Sequence, residues 1–588
     1  MTQRSVVIAT AGHVDHGKST LVHALTGMNP DRLRAERERG LTIELGFTWA
    51  DFAGTTVAFV DVPGHEKFIS TMLSGVGSVP LALFAVAADD PWMPQAAEHL
   101  AALDALGARD AIFAITRCDL ADPATAVRWV QEVTASTSLA GASILPVSAV
   151  TGAGMEPLRR ALGELAAAAP RADEGADVRM WIDRKFTVAG TGTIVTGTLP
   201  AGSITVGDEL HGPQGTVRVR GLESLNVPRD RVSGSTRVAL NLTGAVEQLG
   251  RGDALWQPQA WHLTDLVDVR LLTGEGRAPR TPMWHIGSRA NQVQMQMLDG
   301  THARLKLQHP IPLRQGDRSL VRDPGDRRVW GALVVDPDPT PLRSLPRRAG
   351  LPPRAARAQE LHARGAQPDL THEVATRGVV HRDTLRRLGI REGGSQPWQM
   401  SPAWQTEARR RIEEVVREHD RLHPANPGLA PTEIVNALAA HGLHVPAAEL
   451  LTELLPAGLR IEAGRITSMA ASLPPAVEAA LGKLLADLEP DSLWAPTLEH
   501  IRELGLNDKH LAAAARLGRI FLPAPGVVLP AGAAKLALHT LRELPQPFTT
   551  SEARKALGTS RRVAIPILDF LDRARVTRRL PDDRREIR

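Results

Sequence analysis

Residues 12–20 read Gly12-His13-Val14-Asp15-His16-Gly17-Lys18-Ser19-Thr20, shortly after the apolar run Val6–Ala9 and before a segment of helical composition. This spacing of glycine, lysine and serine fits a phosphate-binding loop, and a strand followed by a helix is the context that the loop requires. Glycine lets successive amides turn toward phosphates, and the helix N-terminus adds positive potential. We expect Lys18 to reach the outer phosphates and Ser19 to ligate Mg²⁺. The alternative is a plain glycine turn beside a helix.

Two further segments fit the same site. Asp61 ends an apolar run and begins Asp61-Val62-Pro63-Gly64-His65, so its carboxylate is expected in the Mg²⁺ shell at the carboxyl end of a strand. The Gly64 amide is free of side-chain crowding and is expected to meet the γ-phosphate. Thr42 would supply a second hydroxyl to Mg²⁺ when that phosphate is bound. A Pro-Gly turn is the alternative for the first of these segments.

The choice of base is predicted from two later segments. Asp119 and Ser148-Ala149 each follow an apolar strand, at the edge of the sheet where ligands bind. The Asp119 carboxylate can accept hydrogen bonds from N1–H and the exocyclic amine of guanine, an arrangement that adenine lacks. The predicted cofactors are therefore GTP or GDP with Mg²⁺.

The pattern of apolar runs predicts several domains. The first part alternates helices with strands and indicates a parallel sheet, whereas short β-branched runs broken by glycine then indicate barrels. Pro-rich residues 336–353 are interpreted as a linker before a mainly helical part. The predicted strands of the sheet are Val6–Ala9, Val57–Asp61, Leu81–Ala87, Ala111–Ile115 and Ile144–Val147. The predicted domains are an α/β P-loop GTPase domain (1–170), two antiparallel β-barrels (171–258 and 259–344) and four winged-helix modules (345–402, 403–475, 476–532 and 533–588).

The amino-acid composition limits the class of protein and the cellular compartment that this sequence fits. A single cysteine, Cys118, among 588 residues excludes a disulfide framework and a Cys-rich zinc site. The N-terminal apolar run is too short for a signal peptide, and the apolar stretch 79–88 is about half a membrane span. We expect a cytoplasmic protein, monomeric and without a membrane partner.

The motifs together resemble the translational GTPase family of elongation factor Tu. The resemblance rests on residues 12–20, Arg39-Gly40-Leu41-Thr42-Ile43, residues 61–65, residues 93–100 and residues 148–154, and covers roughly residues 5–340. It implies that His65 positions or activates the attacking water. Thr116-Arg117-Cys118-Asp119 departs from the family's Asn-Lys-x-Asp, because Thr116 lacks an amide, while Arg117 can still lay a flat cation over the base.

Further segments resemble the selenocysteine-specific elongation factors within that family. They are residues 40–47, 64–68, 182–199 and 237–244, together with the long helical C-terminal extension. The resemblance implies a pocket for the selenol of the aminoacyl group in the first barrel, formed by Asp183, Arg184 and Arg237. A selenol is largely anionic at neutral pH, so two guanidiniums would favour it over a serine hydroxyl. A surface ion pair on the barrel rim is the alternative.

The C-terminal segment 535–588 carries the excess of positive charge. Lys and Arg outnumber Asp and Glu there by about two to one, which is typical of a phosphate-binding surface. The pattern predicts a helix-turn-helix followed by a wing. By resemblance, this module binds an mRNA hairpin, and the alternative is a solvated charged face. The candidate contacts are Arg554, Lys555, Arg561, Arg562, Arg578 and Arg579.

These features predict a GTPase that carries selenocysteinyl-tRNA to the ribosome at a recoded stop codon, recruited by an mRNA hairpin. A general or initiator tRNA carrier is a second hypothesis. A GTPase switch with a DNA-binding winged-helix module is a third. The C-terminal extension and the three pocket residues favour the first.

Overall fold

The computed structural model describes residues 4–30, 44–63, 69–76, 81–90, 92–108, 110–272, 274, 276–325, 328–342, 352–391, 396–423, 426–462, 464–468, 473–488 and 493–588. Contacts divide the chain into two compact units. The first comprises Met1–Thr376 with Val380–Gln399, and the second comprises Arg377–Val379 with Met400–Arg588. The described helices include none with the length and apolar character needed to cross a bilayer.

The first unit begins with a six-stranded sheet in the order β2-β3-β1-β4-β5-β6, in which only β2 is antiparallel. All five predicted strands are present, whereas β2 was not predicted. Alternate residues of each strand point to opposite faces, so Val7 and Ile8 enter separate cores under the helices. The elements are β1 Arg4–Ala11, α1 Lys18–Thr26, β2 Gly46–Phe52, β3 Thr55–Asp61, α2 Ile69–Val76, β4 Leu81–Ala87, α3 Pro94–Leu106, β5 Asp110–Thr116, α4 Ala124–Thr134, β6 Ser143–Pro146 and α5 Met155–Ala168.

A closed antiparallel barrel follows. Strand β10 pairs with both β11 and β15, which closes the ring β10-β15-β7-β8-β14-β11, with β12 added as a hairpin arm. Its strands are β7 Arg179–Val188, β8 Gly192–Leu199, β9 Ser203–Thr205, β10 Glu209–Gly212, β11 Gly215–Ser224, β12 Val227–Arg229, β13 Arg231–Ser233, β14 Thr236–Gly244 and β15 Ala254–Trp256.

The next sheet has the order β18-β17-β21-β22-β16-β20-β19. Its edge strands β18 and β19 are separated only by Val293, so this one segment pairs with both ends of the sheet. The inward residues form a core around Trp284. The strands are β16 His262–Leu271, β17 Met283–Ile286, β18 Arg289–Gln292, β19 Gln294–Met297, β20 His302–Leu313, β21 Arg318–Arg322 and β22 Val329–Asp336. The prediction of two antiparallel barrels is confirmed in class: the first is a closed barrel, and the second barrel is a half-barrel.

A helical segment then packs against this second barrel. It contains α6 Pro353–His362, α7 Leu370–Arg377, β23 Val379–His381, α8 Arg382–Leu388 and β24 Trp398–Met400. The buried Arg357 donates to Asp268 at 2.8 Å and also to Asp336, while Arg304 donates to the second oxygen of Asp268 at 2.7 Å. The linker interpretation of residues 336–353 is therefore wrong at its first residue, because Asp336 ends β22 and is buried in this ion network.

The second unit repeats one motif, three helices followed by a β-hairpin. Short bridges Leu429–Ile466 and Phe548–Arg585 add a third strand to two of the hairpins, as in winged helices. The elements are α9 Pro402–Leu422, α10 Pro431–Ala440, α11 Leu450–Glu453, β25 Leu459–Glu462 and β26 Arg465–Ser468; α12 Pro475–Ala486, α13 Leu498–Glu503, α14 Asp508–Arg516, β27 Ile520–Ala524 and β28 Val527–Pro530; and α15 Ala533–Arg542, α16 Thr550–Ala556, α17 Arg561–Arg573, β29 Thr577–Arg579 and β30 Arg585–Ile587. The winged-helix class is confirmed, while the domain limits given above stay predictions.

Candidate functional site

The glycine loop adopts a backbone that other residues would strain. Gly12 has a φ of 123°, and a Cβ there would stand 2.2 Å from the Ala85 carbonyl oxygen. Gly17, with a φ of 74°, caps α1. Lys18 is buried and its ammonium donates to the carbonyl of Gly12 at 3.2 Å and to that of His13 at 2.5 Å. The loop therefore wraps around the lysine that was predicted to reach the phosphates, with Val14 half-buried and both Asp15 and Thr20 exposed at its rim.

Two oxygen ligands meet at the start of α1. The Ser19 hydroxyl donates to one Asp61 carboxylate oxygen at 2.7 Å, and the Thr10 hydroxyl donates to the other at 2.7 Å. Asp61 is fully buried. A hydroxyl beside a carboxylate is the hard oxygen set that Mg²⁺ prefers, so these residues fit the predicted metal. Thr42, Gly64 and His65 lie outside the described residues.

The segment predicted to bind guanine is tethered to the glycine loop. The Thr116 hydroxyl donates to the His16 carbonyl at 2.8 Å. Arg117 adopts a φ of 55° and donates to the Asp15 carbonyl, and its guanidinium lies 3.3 Å from Asp89. Thr116 lacks the amide of the family's asparagine, yet its hydroxyl still makes a hydrogen bond that joins the two loops.

The carboxylate predicted to bind guanine lies beside the loop that contains Ser148 and Ala149. Asp119 is exposed, whereas Ser148 is buried and its hydroxyl accepts from the Thr151 amide at 3.1 Å. The Cys118 amide donates to the Val147 carbonyl at 3.3 Å, which sets the segments ending in Asp119 and in Ala149 side by side. The structure thus brings together all the described residues predicted for guanine.

Two buried histidines support the loop: His16 is one of its predicted residues, whereas His99 was not among the predicted site residues. The Gly12 amide donates to Nδ1 of His99, whose complete burial, aided by the charge of Lys18, lowers its pKa to about 3. His16 lies 3.1 Å from Asp90, and burial, more than the neighbouring His13, lowers its pKa. Both imidazoles therefore act as neutral hydrogen-bonding groups at neutral pH. The signal for His99 was its place within residues 93–100, which were noted only as a family motif.

The predicted pocket residues of the first barrel form one cluster. Arg237 makes a two-pronged ion pair with Asp183, in which Nη2 lies 2.6 Å from Oδ1, and the Thr196 hydroxyl donates to the same oxygen at 2.7 Å. Arg184 points instead to Glu44, 3.2 Å away, and also donates to the carbonyl of residue 45. The charges are thus paired within the protein before any ligand arrives.

A cavity of about 180 Å³ opens beside this cluster, lined by Phe47, Arg184 and Arg237 among others. The Phe47 ring lies under both guanidiniums, 3.8 Å from that of Arg237 and 5.1 Å from that of Arg184. Strand β2 of the GTPase domain therefore supplies one wall of a pocket whose predicted residues all came from the barrel. Phe47 and Glu44 were not among the predicted pocket residues, although both lie within residues 40–47, one of the segments that carry the resemblance.

The predicted RNA contacts lie on the last helix-turn-helix and its wing. Lys555, Arg561, Arg562, Arg578 and Arg579 are exposed, and Arg554 is half-buried. Arg578 pairs with Glu586 at 2.5 Å and Arg579 with Asp583 at 2.7 Å, so part of the charge on the wing is balanced locally.

Comparison with known proteins agrees with this architecture. The family model "Elongation factor Tu GTP binding domain" matches residues 3–168, and the model "Elongation factor SelB, winged helix" matches residues 539–585. The fold and the loop geometry define a GTP-binding protein of the elongation factor Tu type. The selenocysteine-specific elongation factor of Desulfomicrobium baculatum is 31% identical over 99% of this chain and 99% of its own length. The chain therefore belongs to the selenocysteine-specific elongation factors.

Two other relatives bear on coverage and fold. The selenocysteine-specific elongation factor of Escherichia coli is 40% identical over 56% of this chain, and the match spans 55% of that relative, about half its length. The crystal structure of a bacterial selenocysteine-specific elongation factor, EF-Sec, covers 100% of both chains at 23% identity with a TM-score of 0.74. This likeness confirms the fold.

Proposed function

We propose that this chain is a GTPase that carries selenocysteinyl-tRNA to the ribosome at a recoded stop codon, recruited there by an mRNA hairpin. It would act in the cytoplasm, as a monomer. The observation that carries the choice of cargo is the cavity faced by Arg184 and Arg237. A relative that matches over the full length is a selenocysteine-specific elongation factor, which favours this cargo over a general or initiator tRNA and over a DNA-binding switch.

The geometry of the described loops supports the following roles for Lys18, Ser19, Asp61 and the guanine segment, while the roles of Thr42, Gly64 and His65 rest on the resemblance to the family. Lys18 would hold the outer phosphates, and the amides around it would turn to the same oxygens. Mg²⁺, held by Ser19, Asp61 and Thr42, would neutralise charge on the phosphates. The Gly64 amide would meet the γ-phosphate, and His65 would orient the attacking water. The proposed guanine contacts are Thr116, Arg117, Asp119, Ser148 and Ala149.

Charge would select the cargo. A selenolate can replace the Glu44 carboxylate on Arg184, because both are anions, whereas a serine hydroxyl cannot offer equal attraction. Arg237, held by Asp183, would add a fixed positive edge. Phe47 would keep water from the guanidiniums and so strengthen their attraction for an anion.

The test is a binding comparison, with GTP and Mg²⁺ present, of selenocysteinyl-tRNA and seryl-tRNA built on the same tRNA. The wild type is expected to prefer the former. Arg184→Ala should lose roughly 10- to 100-fold of that preference, since a hydrogen bond to a charged group contributes about 1.5–3 kcal/mol. Arg231→Ala is the matched control, because Arg231 is exposed on the same barrel and its contact with Glu174 is long, at 3.9 Å. An Arg184→Ala protein with unchanged preference would contradict the assignment.

A further inference from the structure

An exposed tryptophan, Trp494, lies in the second unit just before α13. It keeps 60% of its surface in contact with solvent. A ring of this size usually contributes to a core, because removing its apolar surface from water stabilises the fold. Core packing therefore does not account for the position of this side chain.

Two hydrogen bonds join the segment around Trp494 to the predicted RNA-binding helix. The buried Thr559 hydroxyl donates to the Leu493 carbonyl at 2.5 Å, and the Arg562 guanidinium donates to the Pro496 carbonyl. The two carbonyls flank Trp494, and the two donors flank Arg561. Trp494 and Arg561 are therefore on adjoining segments at the start of α17.

The surface formed in this way combines cations with an aromatic face. Lys555 near the end of α16 and Arg561 at the start of α17 are both exposed, on either side of the turn between these helices. Cations beside an exposed ring suit a single-stranded nucleic acid, because the cations hold the backbone and the ring stacks on a base. A base inside a duplex is already stacked on its neighbours and cannot use the ring. The occupant that fits is an unpaired base of an RNA hairpin.

We propose that Trp494 is a stacking platform for an unpaired base of the RNA whose backbone the C-terminal basic residues hold. The inference rests on the proposed recruitment by an mRNA hairpin. It extends the RNA-binding surface beyond the last winged helix to residues 493–496, which precede that module in the chain.

The test uses the full-length protein and a pool of RNA hairpins with one common stem and loops of random sequence. Random loops suffice because stacking tolerates any base. One loop position carries 2-aminopurine, whose fluorescence is quenched on stacking. Trp494→Ala should bind the pool roughly 5–100-fold more weakly, from a stacking contribution of about 1–3 kcal/mol. It should also lose the quenching, while Trp494→Phe should keep most of both.

The salt dependence of RNA binding distinguishes stacking on Trp494 from the contacts that basic side chains make with phosphates. Arg561→Ala should lower the slope of log affinity against log salt by about one, whereas Trp494→Ala should leave that slope unchanged. Wild-type affinity and quenching in Trp494→Ala would overturn the stacking role alone. A wild-type protein that bound a blunt duplex of the same stem as tightly as the pool would overturn both this inference and the proposed recruitment by RNA.

Discussion

Removal of the Arg357 side chain is expected to detach α6 from the second barrel. Arg357 is 3% exposed, and its guanidinium bonds to Asp268, Asp336 and Glu360. Burial alone would lower the pKa of Arg357, but these three carboxylates raise it instead. The guanidinium is therefore a full positive charge that the surrounding acids need.

The size of the expected loss of stability follows from the contacts that Asp268 and Asp336 keep in Arg357→Met. Asp268 keeps its ion pair with Arg304, at 2.7 Å. Of the arginines described in contact with Asp336, Arg364 remains, at the longer distance of 3.5 Å. Both carboxylates are almost completely buried. Removing one partner from a buried ion pair costs about 3–5 kcal/mol. We expect the free energy that holds α6 in place to fall by about this amount.

Hydrogen exchange followed by mass spectrometry measures this loss locally. Amides of 353–362 should exchange roughly two to three orders of magnitude faster in Arg357→Met, the equivalent of about 3–4 kcal/mol. Arg354→Met on the same helix is the matched control, because Arg354 is exposed and its removal should cost within about 0.5 kcal/mol. Equal exchange in the two variants would refute the reasoning that the ion network anchors α6.

Three further substitutions test the site. Asp61→Asn should weaken Mg²⁺-dependent GTP binding by roughly 100-fold in a titration of nucleotide affinity, through lost attraction for the cation of several kcal/mol, whereas the exposed Asp51→Asn should not. Glu44→Gln should tighten selenocysteinyl-tRNA binding by up to about 5-fold and leave seryl-tRNA unchanged, since a half-exposed pair contributes about 0.2–1 kcal/mol; weaker binding would count against displacement of Glu44. The pKa of His99 is lowered to about 3, so the unfolded chain binds the extra proton first and stability is lost as pH falls below about 6.5. His99→Gln should therefore remove roughly 2 kcal/mol of that loss between pH 6.5 and 5 in urea unfolding, and an unchanged pH dependence would exclude His99 as its source.

The nucleotide loop could be predicted because its geometry is local. Gly12 and Gly17 are required by backbone angles that few other residues adopt, and Lys18 and Ser19 follow within two positions. Asp61 comes from a different strand, but its place at a strand end puts it at the same edge of the sheet. Short-range pattern and sheet topology together were sufficient for the described part of this site.

The contacts of Arg357 could not be predicted in the same way. It lies 89 positions from Asp268, in a segment rich in proline and arginine that reads as solvent-exposed chain. Arg585 gave the same error, since it was counted toward a basic surface but is 3% exposed and pairs with Asp569 and Asp572. Residue type alone does not distinguish an arginine that faces solvent from one that neutralises distant acids.

The attachment of α6 bears on how this protein should be shortened in the laboratory. A cut after residue 344, where the barrels were predicted to end, would remove both Arg357 and Arg364 from the buried Asp336, while Asp268 would keep its ion pair with Arg304. A fragment that ends near residue 399 keeps both arginines and follows the limit of the first compact unit. Nucleotide binding measured on a fragment that ends before Arg357 would be measured on a protein with a destabilised second barrel. A poor yield of that fragment would say little about the stability of the intact protein.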